Sequence, residues 1–259
     1  MHDNYFERYT NGEEEAVWAE LLALGPKVRD TPYLPQAMAV CREMTRRSRL
    51  NLRLLINRLS ELDHQFWCYM LQTSPHLARL RKDDFAQWEP CIWIQPKPGV
   101  SDILDKAEKN GITLPLALRV WMEEIGLVSL SGSHPALCPF YSSWEHPNLY
   151  PDPFEVSASI ELMAESISGL PSTQRAGKTI SSDDIYKSEM GIENHEARGY
   201  WIMYPDASID VELKGVWFPT TFVGYVRKSF QWGGFPGWER YPNRPEKELA
   251  LLREGLLPI

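Results

Sequence analysis

The stretch SDILDKAEKNGITLPLALRVWMEEIGLVSLSG, Ser101 to Gly132, decides the fold class. Ser101 stands where a helix N-cap belongs, with Asp102, Ile103, Leu104 and Ala107 behind it. Asn110-Gly111 stops that helix, because both residues tolerate the left-handed backbone of a helix end. Pro115 opens a second helix in its first turn, where the missing N–H costs nothing. Ala117, Leu118, Trp121, Met122 and Ile125 make its apolar face, and Gly126 ends it. Leu127 to Leu130 is then short and apolar and reads as a strand. Helices give way to strands here.

Upstream the pattern is helical. Glu13 to Leu24 places Val17, Leu21 and Leu24 on one face after Asn11-Gly12, and Gly25-Pro26 closes the run. A loop to Pro35 leads to a long predicted helix, Gln36 to Leu62. Its apolar residues Cys41, Met44, Leu52, Leu55, Leu59 and Leu62 recur every three or four positions. Arg42, Arg46, Arg49 and Arg53 share another stripe of that helix. Such a stripe can grip phosphates, yet arginine stems lying along a helix surface are the commoner case, so nucleic acid is not the expected partner. Phe85 to Pro98, rich in Pro and Trp, reads as a linker or edge strand.

Downstream the punctuation changes. Pro135 to Pro153 is a proline-rich loop, and Glu155 to Ser168 reads as a strand running into a helix. Gly199 to Tyr204 and Ile209 to Leu213 alternate like half-buried strands, with Ile209, Val211 and Leu213 inward and Asp210 and Glu212 outward. Val216 to Val226 and Lys228 to Trp232 read as further strands, and a closing helix runs from Pro245 through Glu254. The expected class is α+β: a helical N-terminal region, residues 1–88, packed on a mainly antiparallel sheet domain with flanking helices, residues 89–259.

Composition narrows the function. The chain has 259 residues with 43% apolar and 24% charged, ordinary globular values that exclude disorder for the whole. Ten tryptophans point to an aromatic core or a recognition platform. The opening residues are polar and acidic, unlike a secretory leader, and apolar runs break well short of the about 18 residues a membrane span needs. Cys41, Cys68, Cys91 and Cys138 are widely scattered, which fits buried free thiols in a reducing, cytoplasmic setting rather than a disulfide or zinc framework. The formal net charge is −8, and Ser143 to Val216 alone holds 13 Asp/Glu against 5 Lys/Arg. An acidic middle argues against nucleic acid there and suits a basic protein partner; the plainer alternative is a solvated acidic face.

Catalytic patterns are weak. His134, His146 and His195 lack the spacing of a metal site and read as surface histidines. Ser131-Gly132-Ser133-His134 lacks the G-x-S-x-G elbow, no glycine-rich phosphate loop occurs, and Cys138 has no basic neighbour in sequence to activate it. Neither a catalytic residue, a metal nor a cofactor is therefore assigned. One enzymatic alternative stays open: a glycosidase-like hydrolase, with an acid pair drawn from Asp152, Asp183, Asp184, Asp206, Asp210 and Glu212 in a tryptophan-lined cleft. Trp232-Gly-Gly-Phe-Pro-Gly-Trp238 is the most distinctive string. It reads as a rigid aromatic corner or as a recognition loop.

Ile103, Glu108 and Gly111, the Leu114-Pro115 step, Leu118, Trp121, Gly126 and Leu130, with Asp152-Pro153 beyond, resemble the SUKH superfamily domain over about residues 102–259. The resemblance implies a non-enzymatic protein-binding domain, many of whose members are bacterial immunity proteins that neutralise toxins, nucleases among them. On that reading the partner is a protein with a basic surface, and the contact residues are drawn from Asp183, Asp184, Asp206, Asp210, Glu212, Trp232, Phe235 and Trp238. Complementary charge would speed such an association.

Overall fold

A computed structural model describes residues 4–66, 92–138, 153–156, 176–181, 200–214 and 220–259. Among the described residues it combines seven α-helices with small antiparallel sheets, the α+β class that the sequence predicts.

The helical part starts earlier than periodicity suggests. The polar opening folds as α1 (Tyr5–Thr10), whose cap is Asn4: its side chain accepts from the Glu7 N–H at 3.1 Å. Buried Tyr5 and Tyr9 face inward from it. After α2 (Glu14–Ala23) comes α3 (Tyr33–Glu61), which begins one turn before Gln36 because Pro35 is tolerated in a first turn. Ala37, Val40, Cys41, Met44, Leu52, Leu55 and Leu59 are all fully buried along one face. That face packs on α1 and on α5, described next.

Residues 93–129 follow the predicted order with one change of cap. β2 (Trp93–Ile94) follows the two-residue strand β1 (Gln65–Phe66), then α4 (Val100–Lys109), α5 (Leu116–Glu124) and β3 (Leu127–Ser129). Gly99, not Ser101, occupies the cap of α4; Ser101 lies inside the helix and its hydroxyl donates to Glu123 at 3.1 Å. Gly126 has φ +84°, and a Cβ there would meet the Ile94 carbonyl oxygen at 2.3 Å. Only glycine lets the helix end turn while β2 comes alongside β3. Trp121 Nε1 donates to the Gly126 oxygen (2.9 Å) and Trp93 Nε1 to the Ile125 oxygen (2.8 Å), which pins the junction.

The sheets are small and antiparallel. β2, β3 and β5 (Glu155–Val156) form one, with Trp93 opposite Val128 and Val128 opposite Val156. β1 pairs with β4 (Gly132–Ser133), β6 (Ala176–Ser181) with β7 (Tyr200–Tyr204), and β8 (Glu212–Leu213) with β9 (Thr220–Thr221).

Another expectation fails. The run read as strands from Val216 and from Lys228 contains α6 (Phe222–Gln231). Its Val, Phe and Tyr content suggests a strand, but Phe222, Val223, Val226 and Phe230 fall on one helical face and are buried. The Thr221 hydroxyl accepts from the Gly224 N–H at 3.0 Å, which fixes the start. The chain closes with α7 (Glu246–Arg253) and an irregular tail. A single cluster of buried side chains runs from Tyr5 through Trp121 to Leu252, so both halves share one core. The boundary drawn at residues 88 and 89 lies outside the described residues. Among those described, no helix is long and apolar enough to cross a membrane.

Candidate functional site

The predicted strand Ile209 to Leu213 enters a ladder only at Glu212 and Leu213. The residues before it form a loop on which two helices start. Leu116 and Ala117, the first residues of α5, donate their N–H groups to the Ser208 and Ile209 oxygens at 3.1 and 2.9 Å. Asp206 Oδ1 accepts from the Ser208 N–H (2.8 Å) and hydroxyl (2.5 Å). Asp210 is 3% exposed. Its carboxylate accepts from Val211 N (2.8 Å), from Val223 N in the first turn of α6 (3.2 Å) and from Trp18 Nε1 on α2 (3.2 Å). Burial pushes its pKa upward, while the Thr221 hydroxyl and these N–H donors pull it back.

Of the acids expected to face a partner, Asp210 is thus withdrawn into the core, contrary to its outward assignment. Asp206 is half-buried and spent on its own turn. Glu212 is exposed and pairs with Lys214. Asp183 and Asp184 lie outside the described residues.

The aromatic string is the other half of the nominated surface. Trp232, Phe235 and Trp238 are buried, at 9%, 0% and 2% exposure. Trp238 meets Tyr241 edge-on at 5.1 Å, and Phe235 meets His64 at 6.1 Å. Arg244 and Arg253 lie over the Trp232 ring at 5.2 and 5.7 Å. The string is a corner of the core. It follows the C-terminus of α6, whereas Asp210 sits at the N-terminus. Ten residues of helix hold the two about 15 Å apart, so the structure does not unite them.

Three histidine and cysteine positions come together unannounced. His64 and Cys138 are 74 positions apart, yet His64 Nδ1 lies 4.0 Å from the Cys138 sulfur. His64 Nε2 donates to the Leu130 oxygen at 3.0 Å, which leaves Nδ1 as the acceptor. Burial lowers His64 to about 4, so the ring is neutral at pH 7 and poorly suited to hold an imidazolium–thiolate pair. His134, expected at the surface, is buried: its Nδ1 accepts from the Ala136 and Leu137 N–H groups and holds the turn that pairs His134 with Cys138. Cys41 is fully buried, and burial pushes its thiol far up. His146, His195, Cys68 and Cys91 lie outside the described residues. No group of three metal-binding side chains gathers among those described.

An open groove of about 820 Å³ lies beside the tail, between the start of α2 and the end of α6. Glu14, Arg227, Phe230, Arg253 and Ile259 line it, but none of the acids nominated for a glycosidase does. Arg47 of α3 sits behind it, 8% exposed, paired with Glu14 (2.5 Å) and Glu43 (2.8 Å) and stacked over Tyr9 at 5.2 Å. The sequence carried one signal for it: the buried stripe of α3, continued past Met44, lands on Arg47, Ser48 and Asn51. Comparison with protein-family models, curated proteins and solved structures finds no match in any of the three.

Proposed function

We propose that the chain is a protein-binding protein of the immunity type, capturing a basic toxin partner through the acidic segment Ser143 to Val216. What supports this is how the fold disposes of its charge. Three arginines of the α3 stripe, Arg42, Arg46 and Arg49, and the neighbouring Arg47 are engaged close to home, while Arg53 of that stripe is exposed. Arg42 lies 3.9 Å from Glu124, Arg46 pairs with Glu43 at 2.7 Å, Arg47 holds Glu14, and Arg49 donates to the Glu124 backbone oxygen. Among the described residues none of these arginines reaches an acid of the central segment. A phosphate-gripping stripe is a poor reading of guanidinium groups already partnered.

The acid excess survives the structural corrections. Setting aside Asp206, Asp210 and the Glu212–Lys214 pair still leaves ten acids against four bases in Ser143 to Val216. A field of that sign steers a basic protein and repels nucleic acid. The resemblance of residues 102–259 to a toxin-neutralising family agrees with it.

Co-expression with a candidate basic toxin, sought in the neighbouring reading frames of its source genome, is the test. Survival of the cells and a stoichiometric complex are expected. Toxicity undiminished, with no complex recovered at low salt, contradicts the reading.

A further inference from the structure

His64 is 4% exposed, and among the described residues the one partner its Nδ1 meets is the Cys138 sulfur, at 4.0 Å. Backbone fixes both members of the pair. β1 and β4 set Phe66 opposite Gly132, and a Cβ on Gly132 would meet His64 Nε2 at 2.5 Å, so the ring has no room to swing. Mutual hydrogen bonds between the His134 and Cys138 main chains, 3.0 Å each way, hold the sulfur. His64 Nε2 donates to the Leu130 oxygen at 3.0 Å, which orients the ring and leaves the Nδ1 lone pair bare. Metal-ligating histidines are oriented in the same way, by the other ring N–H on a carbonyl.

The separation selects the kind of ion. A thiol is a weak donor, and 4.0 Å is long for its hydrogen bond. Ligand bonds of about 2.0 Å to nitrogen and about 2.3 Å to sulfur place the two atoms about 3.5 Å apart in a tetrahedral site and about 4.3 Å apart when collinear. The observed 4.0 Å lies nearer the collinear case, the arrangement of a monovalent d10 ion with two ligands. His134 is the neighbouring histidine, but its Nδ1 accepts from the Ala136 and Leu137 N–H groups. Its Nε2 then carries the ring proton and offers no lone pair. Phe66 meets the His64 ring edge-on at 4.7 Å and Phe235 at 6.1 Å. An aromatic shell that excludes water suits a soft thiolate-seeking ion over a hard divalent one.

We infer that His64 and Cys138 form a two-coordinate site for a soft monovalent cation of the Cu(I) class. Binding breaks the Cys138 S–H bond, forms a sulfur–copper bond and sends one proton to solvent. The His64 Nδ1 lone pair completes the site without losing a proton, and the metal stays Cu(I) throughout. The site uses none of residues 143–216, so it stands or falls apart from the acidic-segment reading.

The experiment is an anaerobic titration of the full chain with Cu(I) held as its coloured bicinchoninate complex, with X-ray absorption on the loaded protein. A chain carrying Cys68→Ser and Cys91→Ser should still take one equivalent, whose spectrum shows one sulfur and one nitrogen ligand. On that background His64→Gln and Cys138→Ser should each weaken binding at least about 100-fold, more than loss of an outer-shell partner does. Circular dichroism of the unloaded variants should match the parent. Should either variant unfold, the absorption spectrum of the parent chain decides by itself. The inference is overturned if the parent takes no copper, if its copper has sulfur ligands alone, or if a folded His64→Gln chain binds as the parent does. Zn(II) bound as tightly as Cu(I) overturns it too, since that ion calls for a tetrahedral site.

Discussion

Arg47 on α3 and Asp210 before β8 are both charged residues at the edge of water's reach, at 8% and 3% exposure, and the fold satisfies them by opposite means. Arg47 is answered by charge: Glu14 and Glu43 neutralise it, Tyr9 offers its ring face, and the Pro258 oxygen accepts a hydrogen bond from its Nη1. Among the described residues Asp210 has no cation within ion-pair distance. Dipoles hold it instead, from Val211, Val223, Thr221 and Trp18. The first arrangement ties α1, α2, α3 and the tail together. The second joins α2 to the start of α6. Buried charge here is joinery between elements distant in sequence, which makes it a poor guide to the surface a partner sees.

Arg47→Ala should cost the most. It strands the buried Glu14 carboxylate, leaves Glu43 to Arg46 alone and releases the Pro258 oxygen, so a loss of about 3 kcal/mol in urea unfolding is expected. A loss under about 1 kcal/mol would mean the cluster is solvated after all. Asp210→Ala leaves three buried N–H donors without an acceptor and should cost on the order of 3 kcal/mol.

The pH behaviour of Asp210 has the opposite sign to that of a salt-bridged carboxylate. Burial makes the folded chain hold this proton more tightly than the unfolded one. Stability from this group is full below the ordinary aspartate range of about 4, and is lost as pH rises through the raised folded value. Asp210→Asn should remove that slope in a series of melts across pH.

His64 supplies the contrary slope. Its folded value of about 4 lies below the ordinary 6.5, so its contribution is present above 6.5 and lost as pH falls to about 4. That loss is on the order of 3 kcal/mol, and His64→Gln should flatten it. A wild-type curve unchanged by His64→Gln would show the ring to be solvated. The smallest effect belongs to Arg46→Ala. Arg46 shares Glu43 with Arg47 but its side chain is 58% exposed, and a change within about 0.5 kcal/mol is expected. Adjacent arginines on one carboxylate thus give the sharpest internal control.

The sequence disclosed α3, α4 and α5 because each buries one apolar stripe at helical period, and Gly111 and Gly126 mark their ends. It misled at α6, where β-favouring residues Val223, Tyr225 and Val226 lie on a helix fixed by the Thr221 cap and by packing on α5. Alternation at Ile209, Val211 and Leu213 did report burial, but Asp210 between them points to donors that arrive from residues 18 and 223. No local pattern reveals such partners. The same holds for His64 and Cys138, and for the tail gripped by Asn51 across 206 positions.

The decisive quantity for the acidic segment is its association rate with a basic protein partner of the kind proposed above, followed by stopped flow at low and high salt. Wild type is compared with a chain carrying Asp183→Lys, Asp184→Lys and Glu212→Lys, which leaves Asp206 and Asp210 to their structural work. At low salt the reversed chain should associate on the order of ten-fold more slowly, with a flattened salt dependence and an unchanged melting temperature. Equal rates and equal salt slopes would contradict a partner drawn in by the acidic middle of the chain.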